Sequence, residues 1–185
     1  MSKQRRHFTI LHKVAEHHLA DRYRAEMFDG TARVPVSLRL LKQPWCTERA
    51  IIARLVDTAQ ALSHLRHPGI IAAGDIISLH GRPALITAPL SGASLRHVLA
   101  VSEQAGDTIP LALVISAARD VALAMEYAHD TLRMIHNDLS PGNLWLDTSG
   151  HLTLVHFEGA QSSLHRDYGD NVSFGTLSHM CPQRI

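Results

Sequence analysis

Apolar residues at 51, 52, 55, 56, 59 and 62 follow the three-and-four spacing of one helix face, with Thr47 ahead of them as the expected N-cap. His67-Pro68-Gly69 ends that segment. Before it, residues 34–41 (VPVSLRLL) are β-branched and apolar and read as a strand. After it, residues 69–79 and 83–88 read as two strands joined at a hairpin-like turn, His80-Gly81-Arg82. Ser94 is placed to cap a short helix over 95–100, and Pro110 opens a long one running to about residue 129. That long helix is apolar nearly all round (Leu111, Leu113, Val114, Ile115, Val121, Leu123, Met125), so it is expected to be buried on most sides. Two short strands, 144–146 and 152–155, meet at Thr148-Ser149-Gly150. Strands with one helix precede helices with a small hairpin. This is an α+β order of two parts, with Ser91-Gly92 as the hinge between them.

Composition narrows the class. Of 185 residues, 45% are hydrophobic and 19% charged, enough to bury a core and too apolar for a disordered tail. A net charge of +1 gives no basis for a nucleic-acid or membrane surface. The apolar run 8–11 behind Lys3, Arg5 and Arg6 is too short for a signal peptide, and Arg119 and Asp120 interrupt the longest apolar stretch. Cys46 and Cys181 stand far apart, which suits a reducing compartment rather than a disulfide framework. A soluble cytoplasmic protein is expected. Fourteen histidines invite a metal site, with His12, His17 and His18 the densest group, but no HExxH or Cys/His spacing accompanies them. Scattered surface and core imidazoles are the plainer account.

The richest stretch is His136-Asn137-Asp138-Leu139-Ser140-Pro141-Gly142-Asn143-Leu144. It resembles the catalytic loop of protein kinases, HRDLxxxN, in which the Asp orients the attacking hydroxyl and the Asn, five residues on, holds a metal ion on the phosphates. Asp138 and Asn143 have those residue types at that separation. The loop is also similar to HGDLHPGN of the aminoglycoside and choline phosphotransferases, which share the fold and act on small molecules. Neighbouring segments favour the protein kinases. Leu65-Arg66-His67-Pro68-Gly69-Ile70-Ile71 resembles their L-x-HPNIV, Tyr23-Arg24-Ala25 their VYxA, and Phe174-Gly175-Thr176 through Pro182-Gln183 their FGTxxYMAPE. The nearest likeness is to bacterial Ser/Thr kinases, over nearly the whole chain. It implies a two-lobe fold, with a β-rich N-lobe over 1–90 and a partial α-rich C-lobe over 91–185. It also implies ATP and Mg²⁺ as cofactors.

Several positions depart from that pattern. Where a glycine-rich loop brings backbone N–H groups to phosphate, residues 15–20 read AEHHLA, with no glycine and with the negative charge of Glu16. Val36-Ser37-Leu38-Arg39 aligns with VAIK and puts Arg39 at the phosphate-gripping Lys; Val34-Pro35-Val36-Ser37 is a second alignment. Arginine keeps the cation but is longer and planar. The helix glutamate that would orient this cation falls on Thr58, with Asp57 about 100° away around the helix. In Val155-His156-Phe157-Glu158-Gly159, His156 stands at the metal-binding Asp of DFG, and an imidazole is a poor ligand for a hard cation. Glu158 is a candidate replacement carboxylate, since alternate residues of an extended segment share a side. Gln183 takes the place of the APE glutamate. Thr87 falls at the gatekeeper, and Ala88 C=O and Leu90 N–H at the edge facing adenine, so an adenine-sized apolar slot is expected to persist.

These losses together point to a pseudokinase, a regulatory module that binds a protein partner and no nucleic acid or membrane. The other readings are a weak Ser/Thr kinase using Asp138, Arg39, Asn143 and Glu158, a small-molecule phosphotransferase, and a non-functional fragment. The resemblance stops after the APE-like triplet, so an exposed apolar C-lobe face is expected for another chain to cover.

Overall fold

The computed structural model describes residues 6–17, 19–157, 160 and 179. The chain divides into two compact units, Met1–Ser63 with Ala72–Pro89 and His64–Ile71 with Leu90–Ile185. Among the described residues, no helix is long and apolar enough to cross a membrane.

The first unit holds β1 (His7–Glu16), β2 (Ala20–Phe28), β3 (Arg33–Leu41), β4 (Ala73–Leu79) and β5 (Arg82–Thr87) in one antiparallel sheet, ordered β1-β2-β3-β5-β4. Alternation along the strands sorts the side chains onto two faces. On one face Ala25, Val36, Leu38 and Ile86 are buried, with Phe8, Tyr23, Met27, Ile77 and Leu79 packed against them. The register puts Tyr23 opposite Leu38, Ala25 opposite Val36 and Leu38 opposite Ile86, which gathers this cluster. The other face carries Arg22 opposite Arg39, and Ser37 opposite Thr87. His80 and Gly81 both take positive φ, 51° and 76°, as a two-residue turn matched to strand twist requires.

Helix α1 (Arg49–His64) buries Ile51, Leu55, Ala59 and Leu62 of the face read from the sequence, with Thr58 and Ala61 beside them, while Ile52 is half-buried and Val56 exposed. It starts two residues beyond Thr47, so Thr47 is not its N-cap; a single 3-10 turn, Gln43–Trp45, comes just before it. The expected strand over 69–79 is shortened to β4 from Ala73. Its first residues belong to the second unit: Gly69 O accepts from Leu154 N–H (2.8 Å) and Ile71 N–H donates to Leu154 O (3.0 Å). Arg66 N–H donates to the Tyr127 hydroxyl (3.1 Å). A boundary at residue 90 alone therefore misplaces His64–Ile71, whose backbone partners lie later in the chain.

The second unit contains β6 (Ala93–Ser94), α2 (Leu95–Ala105), α3 (Leu111–Leu132), β7 (Leu144–Leu146) and β8 (Leu152–Leu154), the strands ordered β6-β7-β8. Ser94 Oγ accepts from His97 N–H (3.3 Å), the cap expected from the sequence. The helix runs on to Ala105, past the expected end at 100, and stops at Gly106 with φ 71°. Helix α3 is not buried on most sides. Only Ala124 and Ala128 in its C-terminal half are buried, where it packs on β8. Leu111 and Ile115 are 72% and 61% exposed.

Candidate functional site

The loop between α3 and β7 is held by its own side chains. His136 is fully buried and lies 4.5 Å, centroid to centroid, from the Phe157 ring. Asp138 N–H donates to His136 Nδ1 (3.3 Å), so the ring proton sits on Nε2, which donates to Val155 O (2.9 Å). Asn143 is also buried, and its Nδ2 donates to Asp138 O (2.8 Å) and to Asp138 Oδ2 (2.7 Å). Its backbone N–H donates to Ser140 O, closing the turn Pro141–Asn143, and its carbonyl accepts from Val155 N–H (3.0 Å). Through these bonds the loop and residues 155–157 form one polar assembly. His156 follows with φ 68°, a left-handed conformation that His, like Asn and Asp, adopts more readily than most residues. Its side chain is buried.

In the first unit, Arg39 is 2% exposed on β3, and its Nη2 lies 3.4 Å from His17 Nδ1. Thr58 is buried on α1. Thr87 is buried at the end of β5, and its hydroxyl lies 3.4 Å from Ala88 O; Ala88 N–H donates to Ala72 O (2.8 Å). Ala88 and Leu90 are half-buried. Glu16 does not add an unbalanced charge to the turn between β1 and β2. Lys42 Nζ at 3.1 Å, with Lys13 at 3.6 Å, holds its carboxyl below the usual range. A cavity of about 1170 Å³ opens beside β1 and β4, lined by Arg6, Phe8, Asp75, Ile77, Leu79 and His80 among others, and none of the described candidate site residues borders it. Glu158, Gln183 and the FGTxxYMAPE-like stretch lie outside the described residues.

The family model for the protein kinase domain matches residues 41–185. The chain belongs to the protein kinase domain family. Among curated relatives, it is 25% identical to the tyrosine-protein kinase MasK of Myxococcus xanthus over 160 residues, 81% of this chain and 24% of that one. It is 27% identical to the serine/threonine-protein kinase PkaB of Streptomyces coelicolor over 135 residues, 73% and 30%. It is 25% identical to the DNA damage-responsive serine/threonine-protein kinase RqkA of Deinococcus radiodurans over 181 residues, 96% and 26%. The chain thus spans about a quarter to a third of the length of these relatives. The matched stretch begins at Leu41, so β1, β2 and nearly all of β3, where the phosphate-gripping parts of a kinase would stand, precede it.

Kinases use magnesium, which takes oxygen ligands in a tight octahedral shell. The described residues of this kinase-family loop offer the Asp138 carboxylate, the Asn143 amide oxygen and the His156 imidazole. No group of three or more His, Cys, Asp and Glu side chains able to hold a metal comes together among them. That donor set does not fit the family's metal, because the position of a second carboxylate carries a nitrogen ligand. One buried polar residue of the first unit escaped the sequence reading. Arg22 is 2% exposed and donates from Nη1 to Ser37 Oγ (3.2 Å) and Thr87 Oγ1 (3.3 Å). The signal was available: the first letter of the VYxA pattern, an apolar Val, falls on Arg22.

Proposed function

We propose that this kinase-family chain is a pseudokinase: a cytoplasmic regulatory module that engages a protein partner and does not transfer phosphate by the family's usual route. The observation that carries this reading is His156. It follows Val155, whose N–H is bonded to Asn143 O, and stands where the resemblance puts the acid that would bind metal. The glycine-free turn at 15–20 and the arginine at position 39 support the same reading. Each lost contact to a transferred phosphate costs on the order of 10²-fold in rate, and two acting independently would cost about 10⁴-fold.

A second reading, a weak ATP-dependent protein kinase, draws on the Asp138–Asn143 pair itself, which keeps a carboxylate where a substrate hydroxyl would be oriented. Since the relatives include a tyrosine kinase and serine/threonine kinases, the acceptor in that reading is a protein hydroxyl of either kind. Thermal unfolding of the purified chain with ATP, with and without Mg²⁺, separates the two. A ligand bound only to the folded state raises Tm by mass action. The pseudokinase reading expects no Mg²⁺-dependent rise. A saturable rise that needs both ATP and Mg²⁺ would overturn it in favour of the weak kinase.

A further inference from the structure

The sheet face opposite the apolar cluster of the first unit carries two buried guanidinium groups on directly opposed positions, Arg22 of β2 and Arg39 of β3. Like charges directly opposite on one face are unfavourable, so such an arrangement needs acceptors to hold it. Ser37 lies two residues before Arg39 on the same face of β3, and Thr87 lies opposite Ser37 on β5. The Arg22 side chain starts on β2, passes over β3 and ends between these two hydroxyls, at 3.2 and 3.3 Å from the same Nη1. All three residues are at most 4% exposed. Neighbouring strands are spaced about 4.8 Å apart, so a reach from β2 to a point between β3 and β5 covers roughly 7 Å of sheet surface.

The kinase resemblance gives Arg39 to the phosphates and Thr87 to the base, so Arg22 covers the surface between the two ends of a nucleotide's footprint on this sheet. Base binding there requires an uncovered, largely apolar surface. The chain instead presents a buried cation whose removal from its acceptors would leave unsatisfied groups. We propose that Arg22 is a built-in occupant of the nucleobase-facing surface of the sheet, and that it closes this half of the nucleotide site to adenine. The apolar slot expected from the sequence is filled from within by the residue standing at the apolar position of VYxA. This deepens the pseudokinase reading and rests on it, because it concerns the same lost nucleotide chemistry, but it involves the base alone and no metal.

The test uses adenosine, which has neither phosphate nor a need for Mg²⁺, and reads Tm and calorimetric binding. Wild type is expected to show no saturable response. Arg22→Val, which suits a strand and restores an apolar surface, is expected to gain adenosine binding at least tenfold stronger than wild type. A Ser37→Ala/Thr87→Val double variant, which removes these two hydroxyl acceptors and loosens the hold on the guanidinium, is expected to gain it as well, and keeps the test available if Arg22→Val folds poorly. Adenosine binding by wild type would overturn the proposal, and loss of that binding in Arg22→Val would make Arg22 a stacking ligand for the base. Folded variants that remain silent to adenosine would overturn it too. A Mg²⁺-dependent ATP response in wild type with no response to adenosine would sink the pseudokinase reading and leave the base-site proposal standing, so the two failures are distinguishable.

Discussion

The loop at 136–143 and the sheet face around Arg22 are both buried, polar and self-bonded, yet they have departed from the kinase pattern to very different degrees. In the loop, His136, Asp138 and Asn143 keep the residue types of the family, and each bonds to another part of the same assembly. On the sheet face, Arg22, Ser37 and Arg39 precede the stretch matched to the family and differ from the residues the kinase resemblance would put there; Arg22 bonds Ser37, and Arg39 lies against His17. The difference is physical. The loop backbone exposes N–H and C=O groups that no ladder satisfies, so its side chains are needed as braces whether or not chemistry occurs. A β-sheet satisfies its own backbone, so its side chains are not needed as braces for it. Retained loop residues are therefore weak support for catalysis.

The largest expected effect on stability comes from breaking the brace. His136→Ala removes the acceptor of Asp138 N–H and the donor to Val155 O, both in buried surroundings, and opens space beside Phe157. A loss of about 3 kcal/mol in urea unfolding is expected, from two unsatisfied backbone groups at about 1–3 kcal/mol each, partly relieved by water. A loss below about 1 kcal/mol would mean that the loop does not depend on its imidazole, and the contrast with the sheet would fall.

A finer contrast separates bracing from charge. Asn143→Ala deletes both Nδ2 bonds and is expected to cost about 2 kcal/mol. Asp138→Asn leaves an oxygen for Asn143 to donate to, and is expected to cost less than half as much in the same urea titration. If Asp138→Asn proves the more damaging of the two, the carboxylate charge rather than the hydrogen-bonded shape holds the loop. The account of Asn143 as a brace would then have to be given up.

What the sequence made legible follows the same division. The helix α1 was found from its period, because burial of one face imposes it, while β3 was found from its β-branched, apolar run and α2 from its Ser94 cap. The Asp138–Asn143 pair was legible through the resemblance of its stretch to the kinase catalytic loop, and the hydrogen bonds between the two residues were not. The 10-residue strand β1 was not named, since its apolar residues Ile10, Leu11 and Val14 are exposed at a sheet edge and its pairing with β2 is interrupted by two irregularities. The partners of residues 69–71 lie more than 80 positions away, which no local pattern records. Arg22 was passed over because residues 20–28 were not read as a strand, and only the register and hydrogen bonds show that its neighbours are Ser37, Arg39 and Thr87.

The smallest effect tests whether the loop's bonding pattern matters because of burial or merely because it is self-contained. Asp29, at the turn between β2 and β3, is an exposed counterpart: its Oδ1 accepts from Thr31 N–H (2.9 Å), Thr31 Oγ (2.7 Å) and Ala32 N–H (3.0 Å). The Ala32 amide, followed by the Thr31 hydroxyl and amide, lowers its carboxyl from 3.8 to about 2. A carboxyl whose folded pKa lies below its unfolded value binds its proton less readily when folded. Its contribution is therefore complete above about pH 4 and fades as the pH falls toward 2. Urea midpoints of wild type and Asp29→Ala are expected to differ slightly and constantly from pH 7 to 5, and to converge between pH 4 and 2, with a gap smaller than that of Asn143→Ala throughout. A gap as large as that of Asn143→Ala would show that a closed ring of hydrogen bonds suffices without burial. In that case the difference between loop and sheet would have to be traced to turn geometry instead of to the cost of leaving buried groups unpaired.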